Sequence, residues 1–329
     1  MSQYIKVLKI AVGSATAIMI AFFLGLDYAV SAGIITLLTL QDTKKETIFI
    51  ALKRIAAFVL SVIIVLIVFS VLSYTPIAYG VFLLIYSGIC YAFKMYDAIP
   101  MNAVLASHYL LDKDMSAAMI GNESLLLLIG AGIGILLNLY IPNNVRQIRA
   151  KQRIIEADLK SILSQMADKL LIEDKSDYND SSLLLLKEHI SIGLQQAYTN
   201  MNNTFFQETR YYIEYMQMRK QQSEVLKEIY DKIVTITAVS SQSQEVADFI
   251  RSISKTLSES QNAKGLLLME DTLLLKFKES PLPVTRDEFE HRAVLYIILM
   301  DLRIFLKMKE EFADSLTEEQ KERYWKSKR

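Results

Sequence analysis

From Ile55 to Phe93 the chain runs for 39 residues without an Asp, Glu, Lys or Arg. One helical membrane crossing takes about 20 predominantly apolar residues, so this run alone is long enough for two. Similar runs flank it, and all of them lie before Arg146. Residues 1–143 hold 8 Lys or Arg and 7 Asp or Glu, against 28 and 29 in the remainder of the 329 residues. A formal net charge of zero therefore conceals an apolar half and a heavily charged, balanced half. The contrast predicts a transmembrane domain over 1–143 and a soluble domain over 144–329. Balanced charge in the second half argues against a nucleic-acid partner. The single cysteine, Cys90, sits inside an apolar run, which argues against a disulfide framework or a thiolate metal site. The N-terminal apolar run continues to Leu26 with no small-residue cleavage pattern, so a cleaved signal peptide is not expected.

Six apolar segments can be drawn in the first half: about Ile5–Leu26, Tyr28–Leu40, Ile55–Leu72, Pro76–Phe93, Ala98–Leu111 and Ser124–Ile141. The first, third, fourth and sixth reach a full crossing when one or two flanking residues are counted. The second and fifth cover only about 20 Å of a hydrocarbon core of roughly 30 Å. Charge decides whether the short segments cross. Lys6, Lys9, Lys44, Lys45, Lys53, Arg54, Lys94, Arg146, Arg149, Lys151 and Arg153 all fall on one side if every segment crosses, and only Lys113 falls on the other. That side is the cytoplasm by the positive-inside bias. The expectation is six crossings in a bacterial plasma membrane, with both termini cytoplasmic.

The segment lengths run long, short, long, twice over, and a shift of 70 residues places Asp27 on Asp97. Two readings remain open. One is a 3+3 inverted repeat, whose short segments point to a transport site. The other is coincidence, since residue identity at this offset is poor. Asp27, Asp97 and Glu123 read as lying at segment ends, with no carboxylate at mid-membrane, which argues against a simple proton antiporter. The short segments carry Ser31, Thr36, Thr39 and Gln41, and Asn102, Ser107 and His108. Backbone bonding is the commoner role for Ser31, Thr36 and Ser107. Asn102 and His108 are costlier in lipid and favour a cavity, with an interfacial position equally open for His108. Gly130, Gly132 and Gly134 lack the strand and amphipathic helix of a dinucleotide site. Gly130 and Gly134 suit close helix packing instead.

Beyond Pro142, helical periodicity dominates, with Ile148, Ile155, Leu159, Ile162 and Met166 at spacings of three and four. A loop is expected near 174–180. Residues 183–236 read as one very long helix or two, followed by helices over 244–257 and 265–278. Thr285 with Glu288, and Thr317 with Gln320, fit capping boxes. The fold class is all-α, with a six-helix transmembrane domain followed by a cytoplasmic helical bundle. Tyr211, Tyr212, Tyr215, Met216 and Met218 read as core. His189 and His291 lack the partners of a zinc site. No catalytic constellation, metal site or cofactor site stands out, so no enzyme is expected.

The run 24–36 (LGLDYAVSAGIIT) with 40–47 (LQDTKKET) resembles the bacterial aromatic acid exporter family, with its fusaric-acid-resistance-like membrane domain. The runs 215–222 (YMQMRKQQ) and 281–293 (PLPVTRDEFEHRA) resemble that family's C-terminal domain. The resemblance spans nearly the whole chain. It implies six crossings, a cytoplasmic helical domain and export of aromatic carboxylic acids. The layout is also similar to plant aluminium-activated malate channels, which are dimers, so a homodimer or higher homo-oligomer is expected beside the lipid bilayer and a small organic anion. The path residues implied are Asp27, Ser31, Thr36, Thr39, Gln41, Arg54, Lys94, Asp97, Asn102 and His108. Lys53, Arg54 and Lys94 would attract anions at the inner mouth, helped by the N-terminal dipole of the segment opened by Pro100. Topology alone also accounts for each of these cations. The alternative is a non-transporting membrane-anchored scaffold or envelope-stress sensor acting through its cytoplasmic bundle.

Overall fold

The computed structural model describes residues 3–140, 144–177, 179–205 and 209–326. No strand occurs among them. The chain divides into two compact units, one of residues 1–143 with 202–206, the other of residues 144–201 with 207–329.

The first unit contains α1 (Gln3–Phe23), α2 (Val30–Thr39), α3 (Lys44–Leu72), α4 (Pro76–Ala92), α5 (Ile99–Asp112) and α6 (Ala117–Leu139). Each boundary has a local cause. Thr43, Thr75 and Ser116 are extended and accept the N–H three residues on, capping α3, α4 and α6. Pro76 opens α4, where its missing N–H costs nothing. Gly25, with φ of 69°, sits in the turn after α1, where a side chain would be strained.

Two expected boundaries move. The third helix starts at Lys44, eleven residues before its uncharged run, because the Thr43 cap nucleates it among polar residues. The sixth starts at Ala117, so Glu123 lies inside the helix rather than at its mouth. The expected end of that segment at Ile141 lies outside the described residues. Among the described residues, three helices are long and apolar enough to cross a membrane: Tyr4–Phe23, Lys44–Leu72 and Ala117–Leu139. The fourth segment, expected to be full-length, falls short. It is confined to 17 residues between the Thr75 cap and the turn at Phe93.

Small residues set the packing of α2. A Cβ on Gly130 would lie 2.6 Å from the carbonyl oxygen of Ala32, and one on Gly134 would lie 2.8 Å from Cβ of Thr39. Gly33 meets Ile18 of α1 in the same way, at 2.7 Å. The backbones of α1, α2 and α6 therefore approach as only small residues allow. Gly132 meets nothing within 4 Å and has no part in this. A second core joins α3, α4 and α5 through Val65, Phe69, Phe82, Tyr86, Cys90 and Tyr109. The outward faces leave Phe22, Val59, Ile67, Ile77, Leu84 and Leu128 uncovered by the chain.

The second unit holds α7 (Val145–Lys169), α8 (Ser181–Asn202), α9 (Arg210–Thr235), α10 (Ser241–Thr256), α11 (Lys264–Glu279), α12 (Arg286–Ser315) and the single turn α13 (Glu318–Lys321). Residues 183–236 are thus divided between two helices, α8 ending at Asn202 and α9 starting at Arg210. The Thr317–Gln320 capping box forms in full. At α12 only half of the expected box forms. Thr285 accepts the Glu288 N–H, but the Glu288 carboxylate takes the N–H of Val284 at 2.9 Å. Ile155, Leu159, Tyr215, Ile250, Leu299 and Phe305 lie in one core.

Candidate functional site

α2 is ten residues long, and most of its path candidates are spoken for at its two ends. At the N-terminal end, Ser31 Oγ lies 3.3 Å from Nε2 of His108 on α5. Nδ1 of His108 lies 2.8 Å from Oε2 of Glu123 on α6. The Tyr28 ring stacks on the imidazole at 3.9 Å with an interplanar angle of 3°, and Tyr28 donates its hydroxyl to Asp112 at 2.7 Å. Asn122 donates to the other Glu123 oxygen and to the carbonyl of Asp27, both at 3.1 Å. His108 is 5% exposed and Glu123 is fully buried. Glu123, expected at the outer entry of its segment, is buried in the second turn of α6. The signal for it was Ser116: read as an N-cap, it starts α6 early enough to place Glu123 in the second helical turn.

At the C-terminal end, Arg54 of α3 is 5% exposed. Its Nε donates to the carbonyl oxygen of Asp97 at 3.2 Å, and one terminal nitrogen donates to the Thr39 hydroxyl at 3.5 Å. Among the described residues no carboxylate lies within 4.0 Å of it. The Asp97 charge acts on it only from beyond that distance, and a guanidinium buried with no carboxylate in contact is costly, so the arrangement favours an anion beside it. Lys53 donates to the carbonyl oxygen of Lys94 at 3.0 Å, which holds its charge at the same end. Lys94 and Asp97 are exposed, and Asp97 contributes its backbone rather than its carboxylate.

Between these ends, Thr36 donates to the carbonyls of Ala32 and Gly130, both at 3.0 Å. Thr39 donates to Ile35 at 2.7 Å and Ser107 to Val104 at 2.6 Å. These hydroxyls serve the backbone. Gln41 is half-buried and donates to the Leu38 carbonyl at 2.9 Å. Asn138 of α6, absent from the sequence-based candidates, donates to the carbonyl oxygens of Gln41 and Thr43 at 3.0 and 3.3 Å and ties the α2–α3 turn in place. Asp27 is exposed. Asn102 is fully buried and donates to the Tyr86 hydroxyl at 2.7 Å, while its Oδ1 has no partner. The buried hydroxyl of Tyr109 lacks a partner as well. Two unsatisfied polar groups on one apolar helix are unusual and mark α5 as more than packing. The structure thus gathers five of the candidates into two clusters, at Ser31 and His108 and at Thr39, Arg54 and Asp97, and leaves Asp27, Thr36, Gln41, Lys94 and Asn102 outside them.

In the second unit the tyrosine and methionine stripe is buried, as core residues are. Tyr215 and Gln222 share a buried network with Arg219, which pairs with Glu156. Burial pushes the Glu156 carboxyl up, and Arg219 more than offsets it, leaving the group below its usual range. His189 pairs with Asp158 at 2.7 Å and His291 contacts Thr237 at 3.1 Å. No cluster of three metal-ligating side chains occurs among the described residues. Glu270 on α11 is fully buried with neither oxygen hydrogen-bonded, and burial pushes its carboxyl up to about 7.

Comparison with known proteins agrees with the two-part layout. Residues 1–141 match the family described as "Aromatic acid exporter family member 1". Residues 146–310 match "Putative aromatic acid exporter C-terminal domain". A relative from Bacillus subtilis (strain 168), "Uncharacterized protein YqjA", is 28% identical over 307 residues, covering 93% of this chain and 95% of its own. A crystal structure of a "putative membrane protein" from Clostridium difficile 630 shares 28% identity, with a TM-score of 0.46. It spans 53% of this chain and all of the solved one. With both halves matched in order, the chain belongs to the aromatic acid exporter family.

Proposed function

We propose that the protein moves small organic anions, aromatic carboxylates among them, out of the cell across the plasma membrane. All six helices of the first unit cross the bilayer, with both termini in the cytoplasm and 144–329 forming a cytoplasmic bundle. Family membership supports a transporter, and the eleven cations grouped on one side support the orientation. The observation that carries the anion reading is Arg54, a buried guanidinium whose hydrogen bonds among the described residues go to a carbonyl and a hydroxyl rather than to a carboxylate. Such a group is short of negative charge, and a substrate carboxylate supplies it with two acceptor oxygens. α2 and α5 line the path, with Asn102 and Tyr109 offering polar contacts to the body of the substrate. Lys53 and Lys94 raise the local anion concentration at the inner mouth. The working form is a homodimer or higher homo-oligomer, which mass measurement in detergent will report.

The test is efflux of a panel of labelled aromatic acids from cells with and without the gene. Faster efflux of a subset, lost in Arg54→Gln, is the expected result. Equal rates across the whole panel would remove the transport reading and favour a membrane-anchored scaffold.

A further inference from the structure

The buried His108–Glu123 pair lies at the opposite end of α2 from Arg54, and anion attraction at Arg54 does not account for it. We propose that this pair is a proton-binding site that sets how readily the anion path is occupied. The inference rests on the transport reading above.

The geometry allows one exchangeable proton. Nδ1 of His108 donates to Glu123 at 2.8 Å whether the ring is neutral or charged. The loaded pair is an imidazolium against a carboxylate, with no net charge. The unloaded pair is a neutral imidazole against a carboxylate, a net negative charge out of water. The second ring nitrogen faces Ser31 at 3.3 Å. Loaded, Nε2–H donates to the Ser31 hydroxyl. Unloaded, Nε2 accepts and the hydroxyl donates. Protonation therefore reverses the hydrogen bond that joins the pair to α2.

The surroundings fit proton access from one end. Asp27 and Asp112 are exposed, and Asn122 links the Asp27 backbone to the buried Glu123 oxygen. The titratable groups facing the pair are Asp27 and Tyr28 ahead of α2, and Tyr109 and Asp112 on α5. α6 adds none besides Glu123. The charged residues of α1 and α3 lie in their N-terminal stretches, at Lys6 and Lys9 and from Lys44 to Arg54, and α4 has none.

α2 transmits the change. Ser31 lies in its first turn and Thr39, which touches Arg54, is its last residue. Eight residues of helix separate them by about 12 Å, and at an effective permittivity of about 20 one unit charge at that distance alters anion affinity by about tenfold. Loading the pair removes a repelling charge, so occupancy by an anion rises as pH falls.

The experiment uses the full-length protein in liposomes, with 4-hydroxybenzoate as the labelled probe. pH is equal on both sides, voltage is clamped with potassium and valinomycin, and protein-free vesicles are subtracted. At limiting probe concentration, protein-dependent flux is expected to rise up to about tenfold between about pH 8 and about pH 6. In the double variant His108→Gln with Glu123→Gln, which holds neither the proton nor the charge, flux stays at the high level throughout. Flux that is flat in the wild type, or equally steep in the double variant, overturns the inference and leaves the transport reading standing. No protein-dependent flux at any pH removes both. Should the double variant fail to fold, nitrogen-15 spectra of the wild type decide: a His108 Nε2 whose protonation does not change over that range overturns the proposal.

Discussion

Replacing Glu270 by Gln should make the protein more stable at alkaline pH and leave it unchanged in acid. Glu270 is fully buried on α11, neither of its oxygens is hydrogen-bonded, and its nearest cation, Arg303, sits 3.9 Å away. Burial raises its carboxyl to about 7 from the ordinary 4.5, with Arg303 pulling the other way. The native state therefore holds a proton that the unfolded chain gives up. The resulting stabilisation is full below the unfolded value and is lost as pH rises through about 7. A rise of that size corresponds to at most about 3 kcal/mol, and roughly 1–3 kcal/mol is expected with a partly exposed arginine this close. For a domain of this size that is several degrees in Tm, on the order of 2–4 °C per kcal/mol. The assay is built into the chain. Trp325 is its only tryptophan, lies in the second unit and donates to the Tyr211 hydroxyl at 3.2 Å, so its fluorescence reports unfolding of that unit alone. Melts of wild type and Glu270→Gln should coincide near about pH 4 and separate near about pH 8.5, with the variant higher. Parallel pH profiles for the two proteins would refute the reasoning.

Other consequences are equally direct. Gly130→Leu drives a side chain into the Ala32 carbonyl and should cost about 1–3 kcal/mol or more, read as loss of folded protein in membranes, whereas Gly132→Leu, facing open space, should be tolerated. Arg219→Met leaves Glu156 buried without its partner and should destabilise the second unit by about 3–5 kcal/mol in the tryptophan melt, with Glu156→Leu added restoring much of the loss. Asn102→Leu removes an unpartnered buried oxygen, so the protein should remain folded while export slows. Cysteine labelling at residues 113 and 151 in intact cells should mark only the first if six crossings are made.

Much of the architecture was legible in the chain because its signals are local. The apolar runs placed the helices of the first unit, and Thr317–Gln320 placed a helix start by cap chemistry alone. Boundaries failed where a cap lay upstream of the apolar run, as at Thr43 and Ser116, since hydropathy does not see a helix that begins in polar sequence. The site was half legible. Asn102 and His108 stood out as polar groups in apolar surroundings and Arg54 as a cation at the inner mouth, and the structure buries all three. Glu123 and Tyr86, the side chains that meet His108 and Asn102, did not, because they meet them only through tertiary packing. Thr36 and Ser107 look identical to Ser31 by composition, yet they bond to backbone carbonyls while Ser31 meets His108.

The central claim is that a buried arginine with no carboxylate in contact selects anions. Its most direct measurement is voltage-driven flux of labelled aromatic carboxylates through the protein reconstituted in liposomes, compared among wild type, Arg54→Lys and Arg54→Gln. The account predicts saturable flux in the wild type and a weakened affinity in Arg54→Lys, which keeps the charge but loses the two-pronged geometry. In Arg54→Gln it predicts a loss of about tenfold or more, while the protein stays folded. Unchanged flux and affinity in Arg54→Gln would contradict it.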